Sequence, residues 1–74
     1  MYRIEKIIKK IRMARLEKGY SQEYVATQLE KSQVAYNKLE TGKTKLTLKT
    51  LLLLSNILEI DAKYFFEFDE IEDK

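Results

Sequence analysis

The 74-residue sequence contains no cysteine, no histidine and no proline, and it has only two glycines. Without cysteine there is neither a disulfide framework nor a thiolate metal site, and without histidine the commonest catalytic base and metal ligand is missing. A glycine-rich loop for phosphate is absent as well. These absences argue against an enzyme, and we expect neither a cofactor nor a bound metal.

Long apolar runs are also missing. The longest, at residues 51–54, has four residues, whereas a membrane-spanning helix needs about 20 in succession. Charged residues interrupt the N-terminal isoleucines too closely for a secretory signal. Membrane-surface binding by the basic first helix is an alternative, but its isoleucine stripe is better used as core. The sequence therefore predicts a cytoplasmic protein without membrane contact.

Charge is divided unevenly along the chain. Residues 1–49 hold 12 Lys/Arg against 5 Asp/Glu, while residues 50–74 hold 2 against 7. A basic half indicates a polyanionic partner, although an ordinary solvated surface would have the same composition. The charge pattern by itself leaves both interpretations open.

The sequence does contain the periodicity of amphipathic helices. Isoleucines and an alanine recur at the spacing of one helix face over residues 4–14, and this helix should end at Gly19. Ser21 and Ser32, each followed by glutamine, are the predicted N-caps of two short helices. The predicted buried stripes are Val25, Ala26 and Leu29 in the second helix, and Ala35, Tyr36 and Leu39 in the third.

A fourth helix is predicted over residues 48–58, with Thr47 as its cap. Leu53 and Ile57 lie on its far side, so they need a fifth element or another subunit to cover them. Asp61 is the predicted cap of that fifth element. The broad apolar face of the fourth helix comprises Leu48, Leu51, Leu52, Leu54, Ser55 and Leu58, and the fifth element supplies Tyr64, Phe65, Phe66 and Phe68. The predicted fold is all-α, a compact five-helix bundle over residues 1–68 with an acidic tail at 69–74.

Only residues 30 and 31 connect the second and third helices, so these helices must meet through a tight turn. Two short helices joined in this way, inside a basic helical domain, predict a helix-turn-helix that enters the major groove. Gln33 at the start of the third helix suits adenine, and an exposed Val34 suits a thymine methyl group. Gln22, at the matching position of the second helix, can contact phosphate.

Over residues 11–58 the order of residues resembles the Cro and phage-repressor type of helix-turn-helix domain, often called XRE-like. The matching stretches are IRMAR at 11–15, SQEYVA at 21–26, Leu29, Ser32, KLE at 38–40, Gly42-Lys43 and LTLKTLLLLSNILEI at 46–60. The resemblance implies a lambda-repressor-like bundle that binds operator DNA, usually as a dimer, with the third helix in the groove. The chain departs from the family at Glu30, where glycine is usual, and we expect a slightly reshaped turn.

Carried over by position, the resemblance implies roles for individual residues. Arg15 and Glu40 would form a structural ion pair between the first helix and the end of the third. The ring of Tyr36 is expected to be buried, with its hydroxyl at the rim and within reach of a phosphate. The base-reading residues are Gln33, Val34, Asn37 and Lys38, and the phosphate-contacting residues are Gln22, Ser32, Tyr36, Thr41, Lys43, Thr44 and Lys45.

The predicted function is a sequence-specific regulator of transcription, a repressor in the first instance, that binds double-stranded operator DNA as a homodimer. It would be bacterial or phage-encoded and associated with the nucleoid. The alternative is an antitoxin-type module that binds a toxin or another co-regulator through its aromatic C-terminal segment and regulates its own operon. The dimer candidates are Leu53, Ile57, Tyr64, Phe65 and Phe68, although these residues could instead close the monomer core.

Overall fold

The computed structural model describes residues 3–67, and this part of the chain contains four α-helices and one 3-10 helix, without a strand. The elements are α1 (Ile4–Lys18), α2 (Gln22–Gln28), α3 (Gln33–Glu40), α4 (Leu48–Ile57) and the 3-10 helix η1 (Ala62–Phe66). The all-α prediction is confirmed. The count of five α-helices is wrong by one, because the fifth element is a short 3-10 helix. Phe68 and the predicted tail at 69–74 lie outside the described residues.

Hydroxyl side chains begin the three α-helices that follow α1. The side-chain oxygens of Ser21, Ser32 and Thr47 each accept a hydrogen bond from the amide three residues ahead, at 3.0–3.1 Å. Asp61 caps η1 in the same way through the amide two residues ahead, at 3.0 Å. The repeated Ser-Gln pair thus marks two helix starts, as predicted, because the serine oxygen pairs an amide that has no partner within the helix.

A residue in the left-handed region follows each of the four α-helices within two positions. Gly19 follows α1 and Gly42 follows α3, both with φ of 77°, while Glu30 (φ 58°) follows α2 and Glu59 (φ 55°) follows α4. In each case the amide of the next residue bonds to the carbonyl five residues earlier, at 2.8–3.1 Å, which is the Schellman arrangement. Glu30 therefore adopts the conformation that glycine favours, at a cost of about 1 kcal/mol.

The core lies where the inner faces of the five elements meet. Its members without exposed surface are Ile11, Val25, Tyr36, Leu54, Leu58 and Phe65. Four residues of the predicted apolar faces are exposed, namely Ile4, Ala35, Leu48 and Leu52. On the helical wheel Ala35, Leu48 and Leu52 flank their buried stripes, and Ile4 is the first residue of α1. The other elements within residues 3–67 leave these four positions uncovered.

The 3-10 helix covers the end of the core. Phe65 is fully buried there, while Ile57, Tyr64 and Phe66 pack against the core as partly buried residues. The ammonium group of Lys10 on α1 donates to the carbonyl of Tyr64 at 3.0 Å and to that of Glu67, and it lies 4.5 Å from the centre of the Tyr64 ring. Of the two roles that the sequence left open for Phe65, the structure shows the closing of the monomer core, because its side chain has no exposed surface.

Within residues 3–67, no helix combines the length and the apolarity that crossing a bilayer requires.

Candidate nucleic-acid interface

The outward face of α3 carries the side chains that were predicted to read bases. Gln33, Val34 and Lys38 are exposed, and Val34 has 67% of its surface accessible. Asn37 lies at the edge of this face and is half-buried. An α-helix with its side chains is about 10–12 Å across, which fits the roughly 12 Å width of the major groove of B-form DNA. The structure thus brings the four residues together on one short, accessible helix.

Exposed lysines surround this helix. A cleft of about 490 Å³ separates the start of α3 from the loop at 41–47. Its rim carries Lys31 and Lys38 on one side and Lys45 on the other, and Lys43 is exposed in the same loop. The remaining lining residues are Ser32, Val34, Ala35, Leu39, Thr44, Thr47 and Thr50. Basic and hydroxyl side chains of this kind suit a phosphate backbone.

Sequence reasoning missed Lys31 as a member of this surface. In the sequence, residue 31 is only part of the short connection between the second and third helices, yet the turn directs Lys31 to the rim of the cleft beside α3. The available signal was its position immediately before the Ser32 cap, because a residue next to the start of a recognition helix lies close to the backbone of a bound duplex.

Arg15 and Glu40 form an ion pair beneath α3. Arg15 Nε donates to Glu40 Oε2 and Arg15 Nη2 donates to Glu40 Oε1, both at 2.8 Å. A third donor, Nη1, reaches the carbonyl of Tyr20 at 2.8 Å. Arg15 is 8% exposed and Glu40 is 1% exposed. Such a bidentate, buried pair ties α1 to the end of α3.

Burial alone would raise the pKa of Glu40, but the hydrogen bonds from Arg15 and Gln22 more than offset it, and the pKa is lowered. The same pairing raises the pKa of Arg15. Glu40 is therefore a carboxylate at neutral pH, and a carboxylate only accepts hydrogen bonds.

The prediction that Tyr36 contacts phosphate is wrong in this structure. Its side chain is fully buried, and its hydroxyl has no hydrogen-bond partner among the described residues. Tyr36 lies one turn before Glu40 on the inward face of α3, so its hydroxyl is directed to the Arg15–Glu40 pair rather than to the rim. Burial raises the pKa of the hydroxyl group.

Two of the predicted DNA-contacting residues are joined to the buried pair. Gln22 Nε2 donates to Glu40 Oε1 at 3.1 Å, and Asn37 Nδ2 donates to Gln22 Oε1 at 3.1 Å. Each side-chain amide has two N–H groups, so each keeps one for another partner. Sequence reasoning missed this connection, because it links residues that lie on different helices.

Thr41 at the end of α3 is exposed, but its hydroxyl donates to the carbonyl of Asn37 at 2.8 Å. A phosphate oxygen also needs a donor, so the hydroxyl would have to leave this carbonyl to contact phosphate. The exposed Ser32 uses its oxygen as an acceptor in the cap, which leaves its proton available.

Comparisons with known proteins agree with this geometry. A family model described as helix-turn-helix matches residues 11–65. The chain is 38% identical over 69 residues to a Bacillus subtilis (strain 168) protein described as "SPbeta prophage-derived uncharacterized HTH-type transcriptional regulator YonR"; the match covers 84% of this chain. The chain spans 64% of the length of that relative. No solved structure matches the chain significantly.

The matched region contains the helix-turn-helix, the buried ion pair and most of the core. These features, together with the family match, identify the fold and the family. The chain belongs to the Cro/C1-type, XRE-like family of helix-turn-helix transcriptional regulators.

Proposed function

We propose that this protein represses transcription by binding an operator in double-stranded DNA, with α3 in the major groove. The observation that carries the proposal is the exposed face of α3, where Gln33, Val34 and Lys38 stand together between lysine-rich edges. A helix with amide, apolar and cationic side chains on one face can contact base edges of several kinds.

The proposal divides the site into readers and anchors. Gln33, Val34, Asn37 and Lys38 read bases, and the neutral amides among them carry sequence preference without adding to the net charge. Affinity for phosphate comes mainly from the lysines, since each lysine that neutralises a phosphate releases a counterion. The anchors are Gln22, Ser32, Thr41, Lys43, Thr44 and Lys45, with Lys31 added from the structure.

Repression requires only that the bound protein occupy a promoter. Selecting bound fragments from a random duplex pool tests the DNA-binding part of the proposal. We expect one enriched sequence whose affinity falls steeply as salt is raised. A reporter promoter carrying that sequence should lose expression when the protein is present. Failure of every duplex to bind, even at low salt, would refute the proposal.

We further propose that the protein acts as a homodimer on an inverted repeat, with half-sites about 34 Å apart. Leu53 on α4 is 41% exposed, and Ile57 and Tyr64 are only partly covered by the monomer. Leu53→Glu should lower the mass measured by light scattering from dimer to monomer. Met13→Glu is the matched control, because Met13 is equally exposed, at 44%, on α1. An unchanged mass for Leu53→Glu would remove this surface from the interface.

The antitoxin alternative depended on an aromatic C-terminal segment offered to a toxin. Within the described residues, Phe65 is fully buried, and Tyr64 and Phe66 pack against the core. This part of the segment therefore serves the monomer core, which favours the repressor over the antitoxin. A toxin that co-purified at stoichiometric yield would reverse that preference.

A further inference from the structure

A chain of hydrogen bonds runs from the buried ion pair to the edge of the recognition face. Arg15 holds Glu40 through two bonds of 2.8 Å. Glu40 Oε1 also accepts from Gln22 Nε2, and Gln22 Oε1 accepts from Asn37 Nδ2, each at 3.1 Å. These hydrogen bonds connect α1, α2 and α3 and end at Asn37, which is one of the proposed base readers.

The direction of every bond in this chain follows from its buried end. An ionised Glu40 only accepts, so Gln22 must turn its Nε2 to Glu40 and its Oε1 away. That oxygen in turn requires a donor, so Asn37 must turn its Nδ2 to Gln22. Reversing either amide would bring two oxygens together or leave an acceptor without a donor. The carboxylate thereby determines how both amides are oriented.

The groups that remain match what DNA offers. Asn37 keeps one N–H and its Oδ1, which together are the donor and the acceptor that an adenine edge requires. Gln22 keeps one N–H, which suits a phosphate oxygen. Both residues are half-buried, so their side chains have less freedom than exposed amides and lose less of it on binding.

We propose that Gln22 is a positioning residue that holds Asn37 ready to read an adenine, with Glu40 setting the orientation from the core. This inference rests on the proposed function. It makes base preference at one position depend on a residue that does not itself touch the base.

The test uses Gln22→Met, which keeps the length of the side chain but removes both hydrogen bonds. Its matched control is Gln28→Met, because Gln28 is exposed at the end of the same helix. In the unbound protein, the side-chain NH2 resonances of Asn37 should shift in Gln22→Met and stay in place in Gln28→Met. Circular dichroism checks that both variants are folded.

Binding to the selected duplex and to its single base-pair variants supplies the second measurement. Asn37→Ala should lose about tenfold in discrimination at one A·T pair. Gln22→Met should lose most of that discrimination at the same pair and leave the other positions unchanged. The double variant should discriminate no better and no worse than Asn37→Ala. Because glutamine is neutral, the salt dependence of Gln22→Met should equal that of the unsubstituted protein.

The inference would be overturned if Gln22→Met kept its discrimination among the base-pair variants while Asn37→Ala lost it. The proposed function would still stand in that case. A loss of discrimination by Gln22→Met at a different base pair would overturn it too. If no duplex binds at all, the proposed function fails and takes the reading role of Asn37 with it. The NMR measurement then still decides whether Gln22 orients Asn37.

Discussion

The helices α3 and α4 begin and end alike but differ in the side chains that they expose. Each has a hydroxyl cap, Ser32 or Thr47, and each is followed by a residue in the left-handed region, Gly42 or Glu59. The outward side of α3 carries amide and ammonium groups around Val34, whereas that of α4 carries leucines such as Leu48 and Leu53. Shared local rules therefore produce one helix suited to a polyanion and one suited to an apolar partner.

The helices α3 and α4 also differ in the side chains that pack them against the core. α4 is packed through leucines, while α3 combines Tyr36 and Leu39 with the buried carboxylate of Glu40. A buried carboxylate is favourable only while it is paired. The packing of α3 therefore depends on one distant arginine, and that of α4 does not.

Replacing that arginine should have the largest effect. Arg15→Met strands Glu40 without its cation, and we expect the free energy of unfolding to fall by about 3–5 kcal/mol. Urea denaturation followed by circular dichroism measures this. Arg12→Met is the control, since Arg12 is exposed on the same helix and should change stability by less than about 0.5 kcal/mol. Equal losses of stability in Arg15→Met and Arg12→Met would show that the Arg15–Glu40 pair stabilises the fold no more than an exposed arginine does.

Acid should weaken the Arg15–Glu40 contact less than Arg15→Met does, because a protonated Glu40 can still form hydrogen bonds. The pKa of Glu40 is lower in the folded protein than its ordinary value, which is about 4.3. Its contribution to stability is therefore complete above about pH 4.3 and is lost as the pH falls through the lower folded value. Thermal unfolding measured from pH 6 to pH 2 should show this loss.

Glu40→Gln should flatten that acid dependence, because glutamine does not titrate in this range. Glu23→Gln, at an exposed position on α2, should leave it intact. The same acid dependence in all three proteins would assign the effect to other carboxylates.

On the outward side, the reader and anchor roles should separate in binding measurements. Gln33→Ala should lower affinity for the selected operator by about 1–3 kcal/mol and leave random-sequence binding almost unchanged. Lys43→Ala should weaken both and reduce the slope of log affinity against log salt by about one unit. Titrations at several salt concentrations measure both effects. Identical changes in affinity and salt dependence for Gln33→Ala and Lys43→Ala would contradict the division into base readers and phosphate anchors.

The smallest expected effect concerns the helix ends. Glu59→Gly at the end of α4 should raise the free energy of unfolding by up to about 1 kcal/mol, because glycine adopts the left-handed conformation without strain. Glu30→Gly should do the same at the end of α2. Gly19→Ala is the reverse control, and it should destabilise, since no neighbour approaches the added methyl group and only the backbone resists it. A loss of stability in both glutamate variants would show that these side chains make compensating interactions.

Much of the secondary structure could be predicted because its causes are local. The cap at Ser32 involves an amide three residues ahead, and the turn at Gly42 involves a carbonyl three residues back. Both depend on side-chain and backbone chemistry within one turn. The helix-turn-helix followed from the short connection between two such helices, and the resemblance added the Arg15–Glu40 pair.

The site was less predictable where neighbours from other helices decide the outcome. Tyr36 could be placed on the inward face, but the enclosure of its hydroxyl beside the Arg15–Glu40 pair depends on how α1 packs against α3. Ala35 has the right periodicity for the core and still faces the cleft.

The sequence by itself determined where the helices start and stop and that the exposed face of α3 is rich in amides and lysine, because these properties depend on residues within a few positions of one another. The tertiary structure alone decided that Phe65 closes the monomer and that Gln22 connects Glu40 to Asn37. Those contacts join residues 15 or more positions apart. Their geometry arises only when the helices pack together.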